Sequence, residues 1–171
     1  MITLVLGGSR SGKSSYAEHL VAGLTAPVTY VATAIVDPGD ADHVGRVEAH
    51  RRRRPAEWRT VECTDPADLP SLLDDLDGTV LLDSLGTWIT GHPELRPDTS
   101  ALVRALARRR GDTVVVSEEV GLAPHAPTEA GRRFADSLGG LNQAVAAVAE
   151  RAVLVVAGRA LELPAPTNDP C

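Results

Sequence analysis

The chain has 171 residues, of which 43% are hydrophobic and only 3% aromatic, and its formal net charge is −6. That length suits one globular domain with an aliphatic core. The acidic excess argues against nucleic acid or an anionic membrane surface as a general partner. Two cysteines, Cys63 and Cys171, form neither a disulfide framework nor a metal-ligand pattern. The start, Met1 to Leu6, lacks the basic region of a signal peptide, and no apolar run approaches membrane-spanning length. A cytoplasmic protein without membrane insertion is expected.

In chain order, five apolar runs predict strands: Ile2–Leu6, Val28–Val31, Thr79–Leu82, Thr113–Val116 and Val153–Val156. Most lack polar alternation, the pattern of strands covered on both faces. Between them, helical patterns lie near Lys13–Leu24, Asp40–Arg53, Ala67–Leu76, Ser100–Arg110 and Thr128–Arg151. Gly139-Gly140 is a point where the last of these is expected to kink or break. Gly91–Asp98 reads as a loop. The alternation predicts an α/β protein with a mostly parallel central sheet, three layers deep. Residues 1–163 are read as one nucleotide-binding catalytic domain and 164–171 as a mobile tail.

The first strand runs into Gly7-Gly8-Ser9-Arg10-Ser11-Gly12-Lys13-Ser14, a complete G-x-x-x-x-G-K-S followed by a helical pattern. Strand, loop and helix in that order are the context of a P-loop, and of a P-loop NTPase-like fold. Glycines let successive amides face phosphate oxygens, and the helix N-terminus adds a favourable dipole. Lys13 is the only lysine in the chain and is expected to reach the β- and γ-phosphates. Ser14 would offer its hydroxyl to Mg²⁺. Asp83, at the end of a buried strand, is the matching acid for that metal, directly or through water. As a plain structural residue it would cap the following segment. Glu118 and Glu119 end another strand, where one acid is expected to serve chemistry and the other to be solvated or structural.

The segment from Ala41 to Pro55 holds His43, Arg46, His50 and Arg51-Arg52-Arg53-Arg54. As a helix it places Arg46, His50 and Arg54 on one face. A neutral imidazole among guanidiniums suits nucleophilic attack on a polyphosphate. By spacing alone, a solvated basic helix end explains the segment better than catalysis does. His19, His43, His92 and His125 have no evident partner, and Cys63 reads as a small buried residue.

Taken together, the P-loop, Tyr30-Val31-Ala32-Thr33-Ala34, the stretch Arg46…His50-Arg51…Arg54-Pro55…Trp58-Arg59-Thr60-Val61-Glu62, Leu81-Leu82-Asp83…Thr87-Trp88, Val116-Ser117-Glu118-Glu119-Val120-Gly121 and Asn142-Gln143…Val155-Val156-Ala157-Gly158 resemble one family. It is the bifunctional adenosylcobinamide kinase / adenosylcobinamide-phosphate guanylyltransferase family of cobalamin biosynthesis, and the resemblance runs to about Leu163. It implies phosphorylation of adenosylcobinamide with ATP or GTP. Transfer of GMP from GTP would follow, giving adenosylcobinamide-GDP and pyrophosphate. By the same resemblance His50 carries GMP covalently. Ala32, Thr33, Ala34, Arg51 to Arg54, Glu62 and Asp83 line the GTP site, and the assembly is a homotrimer. Glu119 is a candidate base for the kinase step.

The chain departs from the family pattern at several positions. Glu118 replaces a common Asn, Ala135 and Gly140 replace Arg, and Gly86 and Gly91 replace Thr and Asn. These changes are expected to lie away from the P-loop and His50. The alternatives are a guanylyltransferase with a lost or weakened kinase step, an unrelated P-loop small-molecule kinase, and a nucleotide-binding switch.

Overall fold

A computed structural model describes residues 1–34, 52, 54–122 and 126–165. Seven strands form one sheet: β1 (Ile2–Gly7), β2 (Val28–Ala32), β3 (Arg59–Glu62), β4 (Thr79–Asp83), β5 (Thr113–Glu118), β6 (Arg151–Val156) and β7 (Arg159–Leu163). Their order across the sheet is β3-β2-β4-β5-β1-β6-β7. Every pairing is parallel except β6 with β7. The expected mostly parallel α/β architecture is the one observed.

The aliphatic runs are central because both of their faces are covered. Along β1, Leu4 and Leu6 enter one core and Val5 the other. Val80 and Leu82 of β4 likewise face away from Leu81. The first core receives the helices Leu69–Asp74 (α2), Leu85–Thr90 (α3), Thr99–Arg108 (α4) and Glu129–Ala146 (α5). The second receives α1 (Lys13–Ala22) through Ala17 and Val21. Two-residue alternation along each strand therefore builds three layers.

The sequence reading omits β3, β7 and α3. β3 is a polar edge strand, exposed at Arg59, Thr60 and Glu62. β7 is an exposed antiparallel edge strand. Neither has the bare apolar run of a strand covered on both faces. α3 is short, and Ser84 caps it, accepting from the Thr87 amide. The last helix ends earlier than expected, at Ala146, and Arg151 begins β6. Gly139-Gly140 does not break it: helix α5 runs through both, secured by Leu138 and Leu141 in the core. Of the helix expected over Asp40–Arg53, only Arg52 is described; it is helical and exposed. Of the expected tail, Pro164 and Ala165 are described.

Arg109 ties the end of the sheet opposite the P-loop. It follows α4, and its guanidinium donates to Leu73 O (2.8 Å), Leu76 O (2.6 Å), Gly78 O (2.8 Å) and Thr113 Oγ1 (3.0 Å). One planar cation thus satisfies three carbonyls at the turn entering β4 and a hydroxyl on β5. Trp88 is almost fully buried on α3, and its indole donates to Pro66 O at 2.7 Å. His92 meets it edge to face at 4.8 Å between ring centroids. Burial pushes the His92 pKa down, Asp65 pulls the other way, and Nε2 has no hydrogen-bond partner among the described residues.

Arg109→Ala is expected to lower stability by roughly 2–4 kcal/mol, because charged donors are worth about 1.5–3 kcal/mol each and this one is half-buried. Arg109→Lys should fall between the two, and denaturant unfolding measures both. Protonating His92 is disfavoured in the folded state. Its cost is therefore absent well above an unfolded pKa of about 6.5 and grows as pH falls through the lower folded value. His92→Phe keeps the ring contact without the proton. Its melting temperature should fall less than wild type's between about pH 7 and pH 5.

Candidate functional site

Parallel register brings six strand ends to one edge of the sheet. Glu62 pairs with Ala32, and Ala32 with Asp83. Asp83 pairs with Val116, Gly7 with Glu118, and Gly7 with Val155. Such a carboxyl edge is where open α/β sheets collect ligands.

The loop from Gly7 to Ser14 starts at this edge. Gly12 takes φ +95°, a left-handed conformation that turns the chain into α1 and costs a glycine little. Ser11 donates its amide to Gly8 O at 3.2 Å. The turn between β6 and β7 walls the loop, with Gly158 donating its amide to Ser11 O at 2.8 Å. Gly12 gives α1 no side-chain cap, Ser11 Oγ accepts the Lys13 amide at 3.3 Å, and no acid stands in the first turn, so the positive end of the helix faces the loop. Gly8, Ser9 and Arg10 are exposed, whereas Ser11, Gly12, Lys13 and Ser14 are partly buried.

Lys13 lies back over this loop. Its Nζ is 3.5 Å from Gly8 O and 3.6 Å from Glu118 Oε1. Glu118 therefore does not lie away from the P-loop as expected. The reason is strand order: β5 sits directly beside β1, and β4 with Asp83 is one strand further out. The Glu118 carboxylate also accepts from Ser84 Oγ (3.0 and 3.2 Å) and from the Gly86 amide (3.0 Å). Gly86 too lies at the site. A β-carbon there would fall 2.1 Å from Glu118 Oε2, so only glycine leaves the carboxylate its place. Asn142, on α5, sets the end of β5 by accepting from Ser117 Oγ (2.6 Å) and donating to Glu118 O (3.0 Å). The carboxylate of Glu119 accepts from the Gly121 amide at 2.6 Å, within its own turn.

Thr33 is buried and its hydroxyl is committed to protein. It donates to Ser84 O at 2.6 Å and accepts from the Ser84 amide at 2.9 Å, fixing the turn after Asp83 to β2. Ala32 and Ala34 flank it, partly buried. Tyr30, unassigned in the sequence reading, donates its hydroxyl to Asp83 Oδ2 at 3.1 Å. Burial, reinforced by Asp83, raises its pKa and keeps the phenol a donor. The Arg54 guanidinium lies 3.8 Å above the Tyr30 ring and donates to Thr60 Oγ1 at 3.1 Å. Arg54, Pro55, Ala56, Trp58 and Thr60 line an open hollow of about 180 Å³. Glu62 is exposed at the end of β3, and Arg52 is exposed. His50, Arg51 and Arg53 lie outside the described residues, as does Arg46. Cys63 is buried, donates to Asp65 O at 3.1 Å, and its pKa is pushed up to about 11 by burial, then by Asp68 and Asp65; it is no nucleophile.

A hidden signal accompanied two of the missed residues. Tyr30 is a phenol among the small and aliphatic residues of β2, and Gly86 lies in the first turn of α3 between a buried Leu85 and Trp88. Both positions have a polar partner only once the strand order is known.

Among the described residues, no helix is long and apolar enough to cross a membrane, and no three His, Cys, Asp or Glu side chains gather as a metal site. A solved protein from Pyrococcus horikoshii OT3 shares the fold, with TM-score 0.53 at 8% identity, covering 98% of this chain and 88% of that one. A Pseudomonas aeruginosa protein called bifunctional adenosylcobalamin biosynthesis protein CobP is 39% identical, over 95% of this chain and 97% of its own. The proteins called CobU from Salmonella typhimurium and Escherichia coli K12 are each 33% identical, over 92% of this chain and 97% of theirs. The family model described as cobinamide kinase / cobinamide phosphate guanyltransferase matches residues 3–163. The chain belongs to that family.

Proposed function

We propose that the protein phosphorylates adenosylcobinamide with ATP or GTP and then transfers GMP from GTP to the product, releasing pyrophosphate. The observation that carries this reading is the P-loop with Lys13 folded over it, at the sheet edge that also gathers Thr33, Asp83 and Arg54, in a member of this family.

In the first reaction the loop amides and Lys13 hold the β- and γ-phosphates, and the substrate hydroxyl attacks the γ-phosphorus. In the second, the same loop holds the departing pyrophosphate portion. His50 attacks the α-phosphorus, forming a P–N bond as the bond to the leaving phosphate breaks. The corrinoid phosphate then displaces the histidine. Arg51 to Arg54 neutralise phosphate oxygens in this step. Arg54 is tied to the edge by its stack on Tyr30, which in turn holds Asp83. Ala32, Thr33 and Ala34 shape the floor, Thr33 from behind it, and Glu62 lines the rim.

Ser14 and Asp83 offer a hydroxyl and a carboxylate. All-oxygen donors of this kind fit Mg²⁺, which keeps waters and takes its remaining ligands from phosphates. When bound, that ion would neutralise charge developing on the phosphates. Asp83 already accepts from Tyr30, which fixes the carboxylate orientation for that role. An unrelated P-loop kinase is set aside by the family match.

Mass spectrometry after incubation with GTP and Mg²⁺ should find a GMP adduct mapping to His50, absent in His50→Ala. An adduct that persists in His50→Ala overturns the assignment. With γ-labelled nucleotide, His50→Ala should still label adenosylcobinamide within a few-fold of wild type; a wild type that leaves the corrinoid unlabelled has no kinase step. Lys13→Ala should lower kcat/KM of both reactions by about 10²-fold or more, the scale of losing one charge-stabilising donor.

A further inference from the structure

The strongest unexplained arrangement is the seat of Glu118. Its carboxylate is held by the Ser84 hydroxyl and the Gly86 amide, and it stands 3.6 Å from the ammonium of the phosphate-binding lysine. The Lys13 side chain is only 13% exposed. An ammonium so withdrawn from water requires a counter-charge. Phosphate would be that counter-charge when nucleotide binds, and Glu118 occupies the same role from the neighbouring strand. The two anions compete for one cation.

We propose that Glu118 is a positioning residue that stands in for phosphate, holding Lys13 over the loop until a nucleotide's phosphate takes it over, and that Gly86 exists to seat it. The consequence is a cost in affinity. A fixed carboxylate beside the phosphates repels them, so nucleotide binds more weakly than the cradle alone would allow. In return Lys13 stays aimed at the loop and is not left to search for it. The seat is specific: a β-carbon at residue 86 would lie 2.1 Å from Glu118 Oε2 and 2.9 Å from its Cδ, so any larger residue drives the carboxylate away. This inference rests on the reading of Gly7 to Ser14 as the nucleotide cradle.

Calorimetry with GDP and with inorganic tripolyphosphate tests it. Glu118→Gln keeps an acceptor for Ser84 and Gly86 but removes the charge. It should tighten binding of both probes by roughly three- to tenfold at low salt, a gain that shrinks as salt rises. Gly86→Ala leaves the charge but unseats it, and should change affinity in the same direction by less. The double variant should gain nothing over Glu118→Gln. A purely structural Glu118 would leave the Glu118→Gln affinities at wild-type values, and that result, or weaker binding, overturns the proposal. Failure of the underlying reading looks different: Lys13→Ala would then bind both probes as wild type does.

Discussion

The site depends on one constraint, the placement of β5 between β1 and β4 in a parallel sheet. Parallel pairing aligns carboxyl ends, so the loop after β1, the acid ending β5 and the acid ending β4 must share an edge. Strands lie about 4.8 Å apart, which makes β5 the immediate neighbour of the P-loop and sets Asp83 roughly 10 Å from β1. The two acids therefore meet different partners. Glu118 reaches Lys13, and Asp83 reaches Tyr30. Both are anchored through the turn at Ser84, whose hydroxyl serves Glu118 and whose backbone is clasped by Thr33. Disturbing that turn would move both acids together.

The legible part of the fold was the part with a simple burial pattern. Five strands are marked by aliphatic runs because most of their side chains are buried, and all five are present. β3 and β7 are edge strands with polar or exposed residues, so their pairing is decided by a neighbour and not by their own composition. The helix through Gly139-Gly140 shows tertiary packing overriding a local cost of about 1 kcal/mol per glycine, since Leu138, Leu141 and Val145 bury the same face.

The site divides in the same way. The P-loop was readable because its pattern is local: the residues that form it are consecutive. Asp83 was readable as a strand-end acid. Glu118 was readable as a candidate but not as Lys13's partner, because residues 105 apart in the chain meet only through strand order. Gly86 was visible only as a departure from the family pattern. Its meaning is steric, a missing β-carbon beside Glu118, and no pattern in the sequence expresses a contact between α3 and β5.

One cradle serving two transfers must hold a triphosphate in two ways, because the bond broken lies at the γ-phosphorus in one reaction and at the α-phosphorus in the other. The loop amides cannot make that choice: they read phosphate, and they are fixed by Gly12, Gly158 and the start of α1. Selection must come from groups outside the loop. On one side stands the Glu118 seat, formed by residues of α3 and β5. On the other, Arg54 stacks on Tyr30, and Tyr30 holds Asp83, linking Arg54 to the acid that ends β4 through a phenol that burial keeps protonated. On the proposed reading, an α-phosphorus directed toward His50 engages the Arg54 side and leaves the pyrophosphate portion as leaving group in the loop. On the same reading, a γ-phosphorus directed toward the corrinoid hydroxyl takes Lys13 over from Glu118. On that reading the sheet edge between them, floored by Thr33 and Ser84, lets one loop present either phosphorus.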